Sequence, residues 1–167
     1  MTDRPAPDGD PGNVRIKTDA LRLLAARPRS IAELRSRLKL KKHDERLIDE
    51  VLDSLKKQGM LDDEKFARLY AGSRVHSRPA ARRQLEFELR RKGLSKEIVG
   101  RTLDGLGEYD EKKAARDLVF ARFHKMTGIP PEKKKARLFG FLRRRGFSTE
   151  TALAALNGLF KDAEGIE

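Results

Sequence analysis

Apolar residues recur along this chain at spacings of three and four, a pattern that predicts helices almost throughout. The clearest case is Leu85-Glu86-Phe87-Glu88-Leu89-Arg90-Arg91-Lys92-Gly93-Leu94-Ser95-Lys96-Glu97, nearly repeated as Leu138-Phe139-Gly140-Phe141-Leu142-Arg143-Arg144-Arg145-Gly146-Phe147-Ser148-Thr149-Glu150. In each copy two leucines four apart set an apolar stripe on one helical face, and basic residues fill the last turn. Gly then stops the helix, because it enters the left-handed conformation cheaply. Ser95 or Ser148 is placed to cap the next helix, Glu97 or Glu150 lies near the positive end of its dipole, and Leu94 with Val99 forms a staple.

A more diverged copy lies upstream at Leu34-Arg35-Ser36-Arg37-Leu38, with Asp44 at the capping position. Leu34, Leu85 and Leu138 are separated by about 50 residues, a period that signals repeat architecture. The pairs Leu52/Leu55, Leu103/Leu106 and Leu156/Leu159 keep the register. The first copy carries Lys42 where the others have Gly, and His43 where they have an apolar residue. A non-Gly residue held left-handed costs roughly 1–2 kcal/mol, so this turn is expected to be the loosest or differently shaped.

Residues 1–13, broken by Pro5, Pro7, Gly9, Pro11 and Gly12, read as too polar to bury anything. The expected organisation is a disordered tail over 1–17, three-helix units over 18–61, 62–108 and 109–160, and an acidic tail over 161–167. The first helix starts near Thr18 and ends near Arg27, since Pro28 disfavours helix in its predecessor. Ser30-Ile31-Ala32-Glu33 is a capping box. Leu47, Ile48, Val51, Leu52 and Leu55 form a stripe that Gly59 ends. Asp62 caps the next helix, with Leu61 stapled to Phe66, and that helix is expected to bury Phe66, Leu69 and Tyr70. Pro79 falls at the tolerated first turn of a helix over 80–92. Asp110 caps another helix, which Gly128-Ile129-Pro130-Pro131 breaks. No segment alternates with period two, so the fold is expected to be all-α: three consecutive three-helix repeats forming an elongated or curved helical array.

Composition narrows the function. The 167 residues contain no Cys, which removes disulfides, thiol nucleophiles and thiolate metal sites. The longest apolar run, residues 152–156, is far short of the roughly 20 residues that span a bilayer. A cytoplasmic protein with no membrane association is expected. No phosphate-binding Gly-rich loop or nucleophile elbow occurs, and His43, His76 and His124 lack ligand spacing. Helix capping accounts for Asp62, Asp63 and Glu64. The expectation is a protein that is not an enzyme and carries no cofactor and no metal.

The net charge is +12. Arg4, Arg15 and Lys17 balance Asp3, Asp8 and Asp10, so the excess belongs to the helical part and points to a polyanionic or acidic partner. Cations that end helices complement the macrodipole, which explains some of Arg90, Arg91 and Lys92 and of Arg143, Arg144 and Arg145. It does not explain Arg78, Arg82 and Arg83, or Lys133, Lys134 and Arg137, at helix starts where positive charge is unfavourable. These twelve residues are the candidate contacts, to phosphates or to an acidic groove. Phe87, Phe141 and Phe147 read as core or staple residues, leaving Phe139 as the candidate for exposure. Nucleic-acid contact would then be mainly electrostatic and weakly specific.

Four motifs occur in a distinctive order: Ala20-Leu21-Arg22-Leu23-Leu24-Ala25 with Arg29-Ser30-Ile31-Ala32-Glu33-Leu34-Arg35; Leu61-Asp62-Asp63-Glu64-Lys65-Phe66-Ala67; Glu88-Leu89-Arg90-Arg91-Lys92-Gly93-Leu94; and Leu142-Arg143-Arg144-Arg145-Gly146-Phe147-Ser148. In these the chain, over about residues 18–160, resembles the bacterial RecX regulatory proteins. It departs from them at Lys42, where Gly is usual, and at Arg78-Pro79, where Gly often precedes the second-unit helix. The resemblance implies a non-enzymatic regulator, acting as a monomer, that lies in the groove of the RecA–single-stranded-DNA filament. Such a regulator would suppress ATP hydrolysis, coprotease activity and strand exchange, and so modulate DNA repair and the SOS response. Single-stranded DNA would be met mainly through phosphates. Two alternatives stay open: a basic helix-turn-helix DNA-binding protein, and a helical adaptor for an acidic protein. Against the first, the segment after Ser148 is acidic and then apolar rather than base-reading.

Overall fold

The computed structural model describes residues 11–107 and 109–164, and the described residues form nine helices and no strand. They are α1 (Pro11–Ala26), α2 (Ile31–Leu40), α3 (Glu45–Lys57), α4 (Asp63–Ser77), α5 (Arg82–Arg91), α6 (Lys96–Asp104), α7 (Glu111–Phe123), α8 (Pro131–Arg144) and α9 (Thr149–Glu164). Packing is concentrated within consecutive triplets, α1–α3, α4–α6 and α7–α9.

Local sequence sets where most of these helices start. Ser30 makes the full capping box with Glu33. Asp44 accepts the amides of Arg46 and Leu47, Asp62 those of Glu64 and Lys65, and Asp110 that of Lys113. Ser95 and Ser148 accept the amides of Ile98 and Thr151. Each cap satisfies donors that a helix start leaves orphaned. Two starts lack a side-chain cap: Ala81 before α5, and Pro130 before α8.

Each triplet buries its own stripe. Ile16, Ala20, Leu34, Leu38, Ile48, Val51, Leu52, Leu55 and Leu61 close the first core. Phe66, Ala67, Ala71, Leu85, Leu89, Leu94, Val99 and Leu103 close the second. Leu138, Leu142, Phe147, Ala152 and Leu156 lie in the third, joined there by Ala81 from the second triplet.

Several expectations change. Residues 11–17 are not part of a tail: α1 runs from Pro11, and Ile16 is 1% exposed in the first core. Residues 1–10 of the expected tail lie outside the described residues. At the other end α9 runs to Glu164, so part of the expected acidic tail is helical, and 165–167 lie outside the described residues. Leu61 packs in the first core while Phe66 packs in the second. Pro79 precedes α5 instead of opening it. Leu69 and Phe87 are exposed, each 55%. Both stand two positions from each of two buried anchors, Ala67 with Ala71 and Leu85 with Leu89. Two residues are about 200° of helical rotation, which turns them to the opposite face. Phe139 is half-buried against the third core.

The Lys42 turn has the same left-handed form as its counterparts, with φ 61° against 78° for Gly93 and 83° for Gly146. His43, where the other copies have Leu94 and Phe147, instead meets Asp19 of α1 at 2.9 Å. Hydrogen bonds from Lys41, then from His43, hold the Asp19 carboxyl below its ordinary pKa.

Candidate interface: basic residues at the joints between triplets

The last turns of α5 and α8, where the repeated basic triplets sit, are the places where one triplet meets the one before it. At the end of α5 the Lys92 carbonyl accepts the Ser30 hydroxyl at 2.5 Å. Its ammonium meets Glu33 at 3.0 Å and lies over the Tyr70 ring, 4.6 Å from the centroid. Beside it the Ile31 amide donates to Asp63 at 2.9 Å. Gly93 then passes so close to α2 that a Cβ there would stand 2.3 Å from Ala32 Cβ.

The end of α8 repeats the arrangement one triplet on. The Arg145 carbonyl accepts the Ala81 amide at 3.0 Å, and its guanidinium donates to the Pro79 carbonyl at 2.7 Å. The Arg82 amide donates to Glu111 at 2.7 Å, and the Tyr109 hydroxyl to the Ala80 carbonyl at 2.9 Å. A Cβ on Gly146 would lie 2.7 Å from Gln84 Cβ. Burial, then repulsion from Arg78 and Arg74, lowers the Arg145 pKa.

The twelve candidate cations therefore divide. Lys92 and Arg145 are joint residues. Arg143 donates to the Phe147 carbonyl at 2.6 Å, and Arg82 pairs with Asp104 at 2.5 Å. The carbonyl of Arg78 accepts from Arg74, and Lys134 lies over Phe123, 4.7 Å from the ring centroid. Arg83, Arg90, Arg91, Lys133, Arg137 and Arg144 are exposed.

The first joint also makes a cleft of about 320 Å3 between α2 and the end of α5. Arg27, Arg29 and Arg37 line one side, and Arg90, Arg91 and Lys92 the other. Among the described residues Glu33 is the single carboxylate in the lining, and it is committed to Arg27 at 3.2 Å and to Lys92. Burial works to raise the Glu33 pKa, and hydrogen bonds from Arg27 and Lys92 outweigh it, so its charge is retained. Burial, reinforced by repulsion from Arg27 and Arg37, pushes the Arg29 pKa down. Like charges held together at this cost give the cleft a positive potential.

Arg27, Arg29 and Arg37 are absent from the candidates read from sequence. Arg27-Pro28-Arg29 signals a helix break and gives no hint that the break faces a basic turn some sixty residues away. Phe87, exposed and not among the lining residues, has the guanidinium of the lining residue Arg91 5.7 Å from its ring centroid.

These features define a helical repeat protein of three tandem three-helix units, with basic residues concentrated where the units meet. The models of the first, second and third three-helix domains of RecX match residues 17–55, 62–103 and 109–156 in that order. The chain belongs to the RecX family of regulatory proteins. It is 36% identical to the regulatory protein RecX of Thermobifida fusca, over all of this chain and 95% of that protein. With the regulatory protein RecX of Chlorobium phaeobacteroides it shares 32% identity, over 85% of this chain and 91% of that one. Its fold matches the crystal structure of RecX from Lactobacillus salivarius with a TM-score of 0.70 at 17% identity, covering 89% of this chain and 96% of that chain.

Proposed function

We propose that this protein binds the filament that RecA recombinase forms on single-stranded DNA, and restrains its ATP hydrolysis, strand exchange and coprotease activity without catalysing a reaction. Membership of a family of regulatory proteins supports a regulatory role, and the RecA filament is the partner that the sequence resemblance implies. The observation that carries the reading is the cleft at the first joint, where six cations surround one carboxylate that is already committed.

A filament of protein on DNA offers phosphates and acidic side chains, and both suit such a cleft. Arg27, Arg29, Arg37, Arg90 and Arg91 are the contacts proposed there, with Arg83, Lys133, Arg137 and Arg144 extending the basic surface along the array. Lys92 and Arg145 act indirectly by holding the units together. Phe87 beside Arg91 offers a ring on which an unpaired base can stack.

The test is RecA-catalysed ATP hydrolysis on single-stranded DNA, titrated with this protein. Hydrolysis should slow at substoichiometric amounts relative to RecA. If it is unchanged with the protein in excess, the RecA reading fails and an acidic protein partner of another kind takes its place.

A further inference from the structure

The two internal joints use one set of contacts. The receiving unit offers the start of its second helix. The cap residue there donates to the carbonyl that precedes the left-handed glycine: Ser30 by its hydroxyl to Lys92, Ala81 by its amide to Arg145. The first helical residue donates its amide to an acid in the first turn of the next unit: Ile31 to Asp63, Arg82 to Glu111. The entering unit offers a left-handed residue with no Cβ, because Gly93 and Gly146 lie where a Cβ would collide with Ala32 or Gln84.

The same positions on the outer faces carry residues that cannot do this. On the third unit the cap residue is Pro130 and the first helical residue is Pro131. Neither has an N–H or a hydroxyl, so both donors of the joint are missing. On the first unit the left-handed residue is Lys42. Its backbone has the shape of the glycine turns, and it carries the Cβ that would collide with a receiving helix at Gly93 or Gly146. Lys41, the counterpart of Lys92 and Arg145 at the end of α2, stands next to it.

We propose that these two faces are closed forms of the internal joint, and that they keep a second copy of this chain from adding head to tail. A head-to-tail contact is heterologous and does not close on itself, so an open joint at both ends would string copies into a fibre. Repeat proteins need terminal faces that stop the stacking. Here each end blocks it differently: the leading face by steric bulk at Lys42 and a first turn of α1 without an acid, the trailing face by donor loss at Pro130 and Pro131. Among the described residues no unit docks on the Lys42 turn, so a side chain is tolerated there, and glycine is required only where the turn docks.

Both directions can be tested in the full chain. A quadruple variant, Gly12→Asp and Lys42→Gly with Pro130→Ser and Pro131→Ile, copies Asp63, Gly93 and Ser30-Ile31 onto the outer faces, since the first turn of α1 holds no acid of its own. Sedimentation velocity should show its weight-average coefficient rising continuously up to about 1 mM, the effective concentration that a short tether supplies. The parent should show no rise, and variants opened on one face should sediment as the parent does. In the converse experiment Gly93→Lys puts the closing residue into the first internal joint. Amide exchange should then show loss of protection at Ile31, with protection at Ile48 inside the first core retained. A folded quadruple variant that sediments like the parent, one that stops at a dimer, association of a one-face variant, or an Ile31 amide unaffected by Gly93→Lys would each overturn the proposal.

Discussion

The Ser30 hydroxyl donates to the Lys92 carbonyl, 62 positions away in sequence, and accepts the Glu33 amide at 3.1 Å. One buried hydroxyl thus closes a helix start and a joint between units. Ser30→Ala removes both bonds and leaves the Lys92 carbonyl short of a partner. Caps of this kind contribute about 0.5–2 kcal/mol, and a buried unsatisfied acceptor adds to the cost. A loss of about 2 kcal/mol is expected, read as a lower urea midpoint with an unchanged denaturant slope. Ser95→Ala, whose residue is exposed, should cost less than half as much.

The left-handed glycines give a graded comparison. Gly128 has φ 68° with nothing within 4 Å of an added Cβ, whereas Gly93 has φ 78° with Ala32 Cβ at 2.3 Å. Gly128→Ala should cost the conformational term alone, about 1–2 kcal/mol. Gly93→Ala should add overpacking of about 1–3 kcal/mol, and its effect should shrink in the Ala32→Gly background. Thermal denaturation of the four variants checks this, and equal costs at Gly93 and Gly128 would refute the close approach.

Local signals were legible in the sequence because their physics is local. The capping box at Ser30, the Asp caps and the glycine stops each depend on a few consecutive residues. The stripe of α3 faces inward as its spacing requires. Leu69 and Phe87 were misplaced for a different reason: hydrophobicity marked them as buried, while Ala67 and Ala71, small enough for α6 to approach α4 closely, fix the inward face of α4. The dual role of Gly93, the joint role of Lys92 and the approach of Arg27, Arg29 and Arg37 to Arg90 and Arg91 were hidden. Each depends on how one unit seats on another, and repeat spacing carries no information about that.

Acid should loosen the second unit through Glu88. Its carboxylate accepts from Tyr70 at 2.9 Å and from Arg74 at 2.7 and 2.5 Å. Burial opposes the charge, and the Arg74 and Tyr70 bonds outweigh it, lowering the pKa from 4.5 to about 2. A depressed folded-state pKa stabilises the protein above the unfolded value, and that contribution is lost as pH falls from about 4.5 toward 2. Glu88→Gln should lower stability at pH 7 and flatten that part of the pH–stability curve. If the variant keeps the parent's acid limb, other carboxylates set it.

The cleft at the first joint predicts that its two walls act together. Arg37→Glu reverses charge on α2, and Arg90→Glu with Arg91→Glu reverses it at the end of α5, while Lys92, which holds the joint, is left intact. If one stretch of polyanion lies between the walls, either change removes most of the benefit of the other. Combining them should then weaken inhibition of RecA ATP hydrolysis by less than the product of the separate effects. Lys133→Glu with Arg137→Glu on α8 serves as the comparison, since its effect should multiply with that of Arg37→Glu. All effects should be largest at low salt and shrink as the Debye length falls to about 8 Å. Binding to free single-stranded DNA has to be followed in parallel, where a smaller salt slope reports fewer phosphates neutralised. Folding is checked first by circular dichroism, because acids at the end of α5 oppose its dipole. Should the two walls contribute independently, the cleft is not one binding site and the basic residues act only as a diffuse field. Should free-DNA binding fall while RecA inhibition stays at the parent level, these cations serve DNA alone, and the RecA contact lies on another face of the array.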